Sequence, residues 1–162
     1  MKPLAYASLN ESLIEACPEL AAELEGERGG RFGEEPGPHV VYGDLIAGHL
    51  VRLATQPDSE DVIGRRDGAL AFLERLACDP DFEVRCVAQV SVLESVLDSP
   101  GAFCRLEAGM GPCTIRLVHE VARSWGRTVE ELRRPRMRKA DRTGGTGSSA
   151  GAGPGRAPDP RA

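Results

Sequence analysis

Apolar side chains recur every three or four positions along most of the chain, the spacing of helices that bury one face. The first such stripe runs from Leu9 to Leu24, and Pro18 inside it predicts a kink or a fresh helix start. A second helix is predicted from Asp44, with Ile46, Leu50 and Leu53 on one face. Further stripes predict helices over about 61–77, 81–97, 101–108 and 112–125.

The segment from Asp81 to Leu97 differs from the others because it is apolar on two opposite faces. One stripe consists of Cys86, Val90, Leu93 and Leu97, and the other of Val84, Ala88, Val92 and Val96. A helix that is apolar on two sides is buried between neighbours. We therefore expect this helix to be the central element.

Local signals mark several helix ends. Ser8 with Glu11 and Thr128 with Glu131 match the capping box, and Asp44 is predicted to be the N-cap of the second helix. Gly126 follows the last apolar stripe, where a left-handed C-cap is expected.

A short internal repeat indicates how the helices are arranged. Phe72-Leu73-Glu74 returns as Val92-Leu93-Glu94, and Asp79-Pro80 returns as Ser99-Pro100. The repeat predicts an all-α fold of antiparallel helical hairpins stacked as a compact HEAT-like bundle. We place this helical domain at residues 1–134.

Two segments lack a helical period. Residues 26–43 hold six glycines and two prolines, which predicts one long irregular loop with a short extended stretch packed on the bundle. Residues 135–162 contain no Val, Ile, Leu or aromatic residue, so they cannot bury enough apolar surface to offset the entropy of ordering. They are predicted to form a disordered, basic Gly/Ala/Pro/Arg tail.

The order of short motifs along the chain resembles that of a known family. The chain carries Cys17-Pro18-Glu19-Leu20, then Gly37-Pro38-His39-Val40-Val41-Tyr42-Gly43-Asp44, then the two repeated tripeptides. In this it resembles a family of small bacterial all-helical domains of unknown function, similar in kind to toxin-immunity proteins. The resemblance covers roughly residues 9–127 and implies no catalytic residues.

Charge and cysteine content narrow the function classes. Residues 1–126 hold 11 Lys and Arg against 21 Asp and Glu, whereas residues 127–162 hold 9 against 4. Such an acidic body repels nucleic-acid phosphates, which only the tail is able to attract. The five cysteines form no C-x-x-C pair, and no secretion signal or membrane span is recognisable, so we expect reduced thiols in a cytoplasmic protein.

His39, Tyr42 and Asp44 are candidates for partner binding because they cluster at the end of the predicted loop. The alternative is structural: Asp44 acts as a cap and Tyr42 as a hydrophobic staple. Glu74 and Glu94 border apolar stripes and are the second pair of candidates. If they share a pocket with His39, acid–base catalysis becomes conceivable, whereas a Glu in such a place more often binds an Arg or a helix N-terminus.

Other chemistry finds no support in the sequence. His49 and His119 lie at the edges of apolar faces without metal-ligand spacing, and Arg123 stands where a zincin would need its second His after His119-Glu120. Nucleophile-elbow, P-loop and dinucleotide motifs are absent. No metal and no cofactor is predicted.

A basic run begins at the end of the helical domain and comprises Arg133, Arg134, Arg136, Arg138, Lys139 and Arg142. Without interleaved aromatics it offers charge for nucleic acid or an acidic surface, but no base stacking.

The leading interpretation is a non-enzymatic protein-interaction domain, with an immunity-type inhibitor of a basic partner as its narrower form. The alternatives are a small enzyme using His39 with Glu74 and Glu94, and a nucleic-acid-associated protein acting through the tail.

Overall fold

The fold is all-α in a computed structural model that describes residues 3–30 and 36–134. The α-helices are α1 (Leu9–Ala16), α2 (Ala21–Gly30), α3 (Pro38–Val41), α4 (Ala47–Thr55), α5 (Glu60–Ala77), α6 (Phe82–Cys86), α7 (Glu94–Leu97), α8 (Pro100–Leu106), α9 (Pro112–Ser124) and α10 (Val129–Leu132). Short 3₁₀ turns at Tyr6–Ser8, Pro18–Leu20 and Glu107–Gly109 connect some of them. The predicted all-α class is confirmed, and within the described ranges no helix combines the length and apolarity needed to cross a bilayer.

Two predictions concern the N-terminal hairpin, which consists of α1 and α2; one is correct and the other is wrong. Pro18 opens a 3₁₀ turn between α1 and α2, which is the predicted fresh start and suits a residue that has no N–H to donate. The predicted capping box at Ser8 and Glu11 does not form. The Ser8 hydroxyl instead donates to the carbonyl of Ala5, because a 3₁₀ turn precedes the helix.

The prediction of a long irregular loop over residues 26–43 is wrong where the chain is described. Helix α2 continues to Gly30, and a new helix begins at Pro38 with Gly37 as its N-cap. The chain then stays helical through a π-helical turn (Tyr42–Ile46) into α4, so Asp44 lies inside a helix and is not an N-cap. Gly37-Pro38 is a helix start here, since proline is well suited to the first helical position.

The central helical segment runs from Phe82 to Leu97 and contacts α3, α4, α5 and α9, which confirms its predicted place. Its middle, Val87–Leu93, is π-helical, and this changes which side chains face inward. Val92 and Leu93 are both fully buried, as expected of a helix packed on two sides. Val90, which a regular α-helix would bury with Leu93, is 49% exposed.

Ends near the C-terminus follow the sequence signals closely. Pro112 is the first residue of α9, and Gly126 adopts a left-handed conformation with φ of 63° just after it. The capping box at Thr128 and Glu131 forms in both directions at the start of α10. The predicted disordered tail over residues 135–162 lies outside the described residues.

The core is mainly aliphatic, as the low aromatic content predicts. Leucines of α1, α2, α4 and α5 pack together with valines of the central segment, and most of them are fully buried. Three aromatic side chains, Tyr42, Phe72 and Phe103, complete this core, with Tyr42 and Phe72 ring centroids 6.1 Å apart. The result is one continuous hydrophobic cluster from Leu4 to Leu132.

Candidate functional site

Tyr42 does not lie at the surface. Its side chain is fully buried, and its hydroxyl donates a hydrogen bond of 2.8 Å to the carbonyl oxygen of Leu9 in α1. Burial is the main reason that the pKa of Tyr42 is raised, with the nearby thiol of Cys17 adding to it. Tyr42 therefore holds α1 against the helix that begins at Pro38. This role is similar to the hydrophobic staple that was the structural alternative for Tyr42.

His39 and Asp44 both remain accessible to solvent. Nδ1 of His39 lies 2.8 Å from the hydroxyl oxygen of Ser91, a bond that joins α3 to the central segment. The His39 ring is also 6.4 Å from the ring of Tyr6. Asp44 is exposed within the π-helical turn. With Tyr42 buried, the predicted cluster of three does not form one surface.

Glu74 acts as an acceptor for the start of α9. Its Oε1 accepts the N–H of Cys113 at 2.8 Å, and its Oε2 accepts the N–H of Thr114 at 2.8 Å and the Thr114 hydroxyl at 2.7 Å. Burial raises the pKa of Glu74, but these hydrogen bonds outweigh it and leave the pKa below its usual range. The carboxylate thus binds a helix N-terminus, one of the two structural roles considered from the sequence.

Gly111 lies directly beneath this carboxylate. A Cβ at position 111 would fall 2.3 Å from Cδ of Glu74, which is closer than any real contact allows. The backbone of Gly111 is extended, with φ of −77° and ψ of 172°, so any residue is able to adopt it. The glycine is required for space, because Glu74 occupies the place of a side chain.

Glu94 lies on a different helix from Glu74. It is half-buried at the first position of α7, whereas Glu74 is engaged by α9 and His39 by Ser91. The three residues proposed for acid–base chemistry thus lie on three different helices, α3, α5 and α7. The enzyme alternative stays a prediction.

The expectation of five reduced cysteines is wrong for two of them. Cys78, just after α5, and Cys113, the second residue of α9, form a disulfide across 35 positions of sequence. Cys17 is buried, and burial raises the pKa of its thiol to about 11, while Cys86 is half-buried and Cys104 exposed. Pairing of Cys78 with Cys113 depends on how α5 and α9 pack, so no local sequence motif predicts it.

The disulfide lies beside the carboxylate of Glu74. Oε1 of Glu74 is 3.3 Å from Sγ of Cys78, and the Arg116 guanidinium donates to Sγ of Cys113 at 3.1 Å. The carboxylate and the two sulfurs lie within 4.8 Å of one another, a donor set that Zn²⁺ accepts when both sulfurs are thiolates. Only the reduced protein offers that set.

A cleft of about 490 Å³ opens at the Cys78 side of this group. Its polar lining includes Arg85, Arg116 and Glu120, and the Phe82 ring at its edge is 68% exposed. The Arg85 guanidinium lies 5.9 Å from the Phe82 ring centroid and donates to the carbonyl oxygens of Asp79 and Pro80. The cleft therefore combines cationic side chains with an exposed aromatic face.

A second concave surface, the acidic groove, lies between α1 and α2 and encloses about 450 Å³. Its floor is apolar and consists of Ile14, Ala21 and Leu24, and its rim carries the exposed carboxylates of Glu11, Glu15 and Glu25. Arg28 at one end pairs with Glu25 at 2.6 Å. Residues 9–30 hold six Glu against one Arg, a local excess of acidic residues that the sequence alone shows.

Only the first part of the predicted basic run is described. Arg133 binds Glu107 through two hydrogen bonds and also pairs with Glu130 at 3.4 Å; these contacts raise the pKa of Arg133, chiefly through the hydrogen bonds with Glu107. Arg134 is exposed. Arg136, Arg138, Lys139 and Arg142 lie outside the described residues.

One buried polar pair was not foreseen in the sequence. His49 is buried, and its Nε2 lies 2.9 Å from Oε1 of Glu19 in the 3₁₀ turn that precedes α2. Burial lowers the pKa of His49, and the neighbouring Glu19 offsets part of that effect. The sequence placed His49 at the edge of an apolar face, which agrees with its burial, but it gave no sign of the partner Glu19. His119 is exposed.

Comparison with known proteins supplies a family and no further relatives. No curated protein and no solved structure matches the chain. A family model matches residues 10–126, which begins in α1 and ends at the glycine that follows α9. The match spans both the acidic groove and the disulfide. The chain belongs to the family described as Domain of unknown function (DUF7674).

Proposed function

We propose that the chain is a non-enzymatic protein-interaction domain whose acidic groove binds a basic segment of a partner protein. The observation that carries this proposal is the combination of an apolar floor and a carboxylate rim in one groove. Such a surface suits a partner segment in which Lys or Arg residues flank an apolar side chain. The apolar side chain contributes burial, and the cations give specificity and a fast association rate.

The charge distribution supports the same partner class. The net charge of residues 9–30 is −5, which equals the net charge of the whole 162-residue chain. The pairing of Arg28 with Glu25 shows that a guanidinium fits at one end of the rim. A partner arginine is therefore expected to bind in the same way along the rest of the groove.

An immunity-type inhibitor in a bacterial cytoplasm, built from HEAT-like helical pairs, is the narrower form of this proposal. Its support is the acidic surface, since an inhibitor that covers a basic catalytic or nucleic-acid-binding site needs complementary charge.

A cytoplasmic setting also has a consequence for the Cys78–Cys113 bond. Disulfides in a reducing compartment are usually transient or redox-sensing and not permanent staples.

The proposal is tested with a variant that removes the rim charges and keeps their shape. Glu11→Gln, Glu15→Gln and Glu25→Gln are combined in one protein. A control protein carries Asp67→Asn, Glu83→Gln and Glu120→Gln, which are exposed positions away from the groove and change the net charge equally.

Partners captured from the native host by each protein are quantified by mass spectrometry, and the dissociation constant of the enriched partner is then measured. We expect the groove variant to lose the partner that the wild type and the control retain, and wild-type affinity to fall as salt rises. Equal partner affinity for the groove variant and the control would refute the proposal. A partner whose affinity does not depend on salt would also contradict it.

A further inference from the structure

The two sulfurs of the Cys78–Cys113 disulfide differ in access. Cys78 is exposed and lines the 490 Å³ cleft, whereas Cys113 is half-buried at the start of α9 and is not part of the cleft lining. A thiolate that enters through the cleft therefore meets Sγ of Cys78 first. Thiol–disulfide exchange depends on which sulfur is reachable, so access selects Cys78 as the sulfur that is attacked.

The two sulfurs also differ in how well they carry negative charge. Arg116 donates to Sγ of Cys113 at 3.1 Å, while the carboxylate of Glu74 lies 3.3 Å from Sγ of Cys78. A neighbouring cation stabilises a thiolate, and a neighbouring carboxylate destabilises one. The first N–H groups of α9 donate to Glu74 and offset part of its negative charge. Arg116 is therefore the group that favours a thiolate on Cys113. Cys113 is thus the better leaving group.

The cleft supplies features that a small thiol compound would use. Its volume of about 490 Å³ lies within the range of small-molecule sites. Arg85 and Arg116 present guanidinium groups that a carboxylate of the thiol compound would bind. Glu120 would repel a compound that carries further negative charge. Arg85 is held by two backbone carbonyls, so Arg116, which is exposed, is the more available donor.

We propose that Cys78 is a site of thiol–disulfide exchange with a small, carboxylate-bearing thiol that binds in this cleft. The incoming thiolate attacks Sγ of Cys78, and a new sulfur–sulfur bond forms between them. The bond between Cys78 and Cys113 breaks, and its electron pair leaves on Sγ of Cys113 as a thiolate beside Arg116. The small thiol is oxidised, Cys113 is reduced, and no other oxidant or reductant takes part.

The test uses the oxidised full-length protein and reduced glutathione as the probe. Cysteamine, which is cationic, and 2-mercaptoethanol, which is neutral, serve as comparison thiols. Each rate is divided by the rate of the same thiol with hydroxyethyl disulfide, which corrects for intrinsic reactivity. Time points are quenched with acid, alkylated and mapped by mass spectrometry.

We expect the glutathione adduct on Cys78, a newly alkylated Cys113, and a corrected rate higher for glutathione than for cysteamine. The adduct should persist in a Cys86→Ser, Cys104→Ser protein. An adduct on Cys113, equal corrected rates for the three thiols, or isolated protein without the Cys78–Cys113 bond would each overturn the proposal.

Arg116→Gln tests the recognition step, and Arg123→Gln is the matched control because it is an exposed arginine two turns further along the same helix. We expect the glutathione rate of Arg116→Gln to fall about fivefold, the effect of losing one exposed ion pair. The cysteamine rate should fall less, and Arg123→Gln should match the wild type. Equal glutathione rates for the two variants would overturn the assignment of the cleft.

Discussion

Replacing Glu74 tests whether one carboxylate fixes the start of α9. Glu74→Ala removes every acceptor from the N–H groups of Cys113 and Thr114 and from the Thr114 hydroxyl, which is buried. Losing a helix cap costs about 0.5–2 kcal/mol. Leaving a buried hydroxyl without a partner costs about 1–3 kcal/mol. The free energy of unfolding should therefore fall by about 1.5–5 kcal/mol.

Glu74→Gln separates charge from shape. One amide oxygen still accepts a hydrogen bond, while the amide nitrogen faces an N–H donor and the negative charge at the helix N-terminus is lost. We expect a loss of about 1–2 kcal/mol, measured by urea denaturation of the oxidised protein at neutral pH. Glu94→Gln is the control, since Glu94 is half-buried on another helix, and its effect should stay within about 0.5 kcal/mol.

The pH dependence of the same comparison has a definite sign. The pKa of Glu74 is lowered in the folded protein, so its stabilising contribution is complete above the unfolded value of about 4.3. That contribution is lost as the pH falls through the lower, folded value. The gap between wild type and Glu74→Gln should therefore shrink below about pH 4. Equal stability of Glu74→Gln and Glu94→Gln at pH 7 would refute the capping role.

Gly111, His49 and Tyr42 give three further predictions. Gly111→Ala should destabilise the protein by about 1–3 kcal/mol because its Cβ displaces the Glu74 carboxylate, and urea denaturation should show a smaller loss when Glu74→Ala is already present. The pKa of His49 is lowered by burial, so wild-type stability should fall as the pH drops below about 6.5, and His49→Gln should flatten that dependence in a pH series of melting curves. Tyr42→Phe should cost about 1 kcal/mol through the lost hydrogen bond, without changing the thiol-exchange rate at Cys78.

Helix positions were predictable wherever the signal was local. Pro112, Gly126 and the Thr128–Glu131 box each set a helix end through their own backbone or a neighbour three positions away. The pattern of apolar positions also identified the central segment, because periodicity on two faces requires neighbours on both sides. It did not reveal the π-helical stretch that exposes Val90, since a π turn changes register without a residue signature of its own.

The errors have a common physical origin in contacts between distant residues. Gly37-Pro38 has the composition of a loop, but packing of the helix that follows, including the buried Tyr42, makes it a helix start. The pairing of Cys78 with Cys113 depends on the packing of α5 against α9, which no spacing encodes. Glu74 was found as a candidate from its sequence position, but choosing between catalysis and capping required knowing where α9 begins.

Hydrogen–deuterium exchange on the complex with the captured partner tests the central claim, that the acidic groove is the binding surface, most directly. The amides of α1 and α2 should gain protection when the partner binds, because they lie on both sides of the groove. The amides of α9, on the side of the disulfide, should exchange as they do in the free protein. Protection confined to α9 or α10, with α1 and α2 unchanged, would contradict the account.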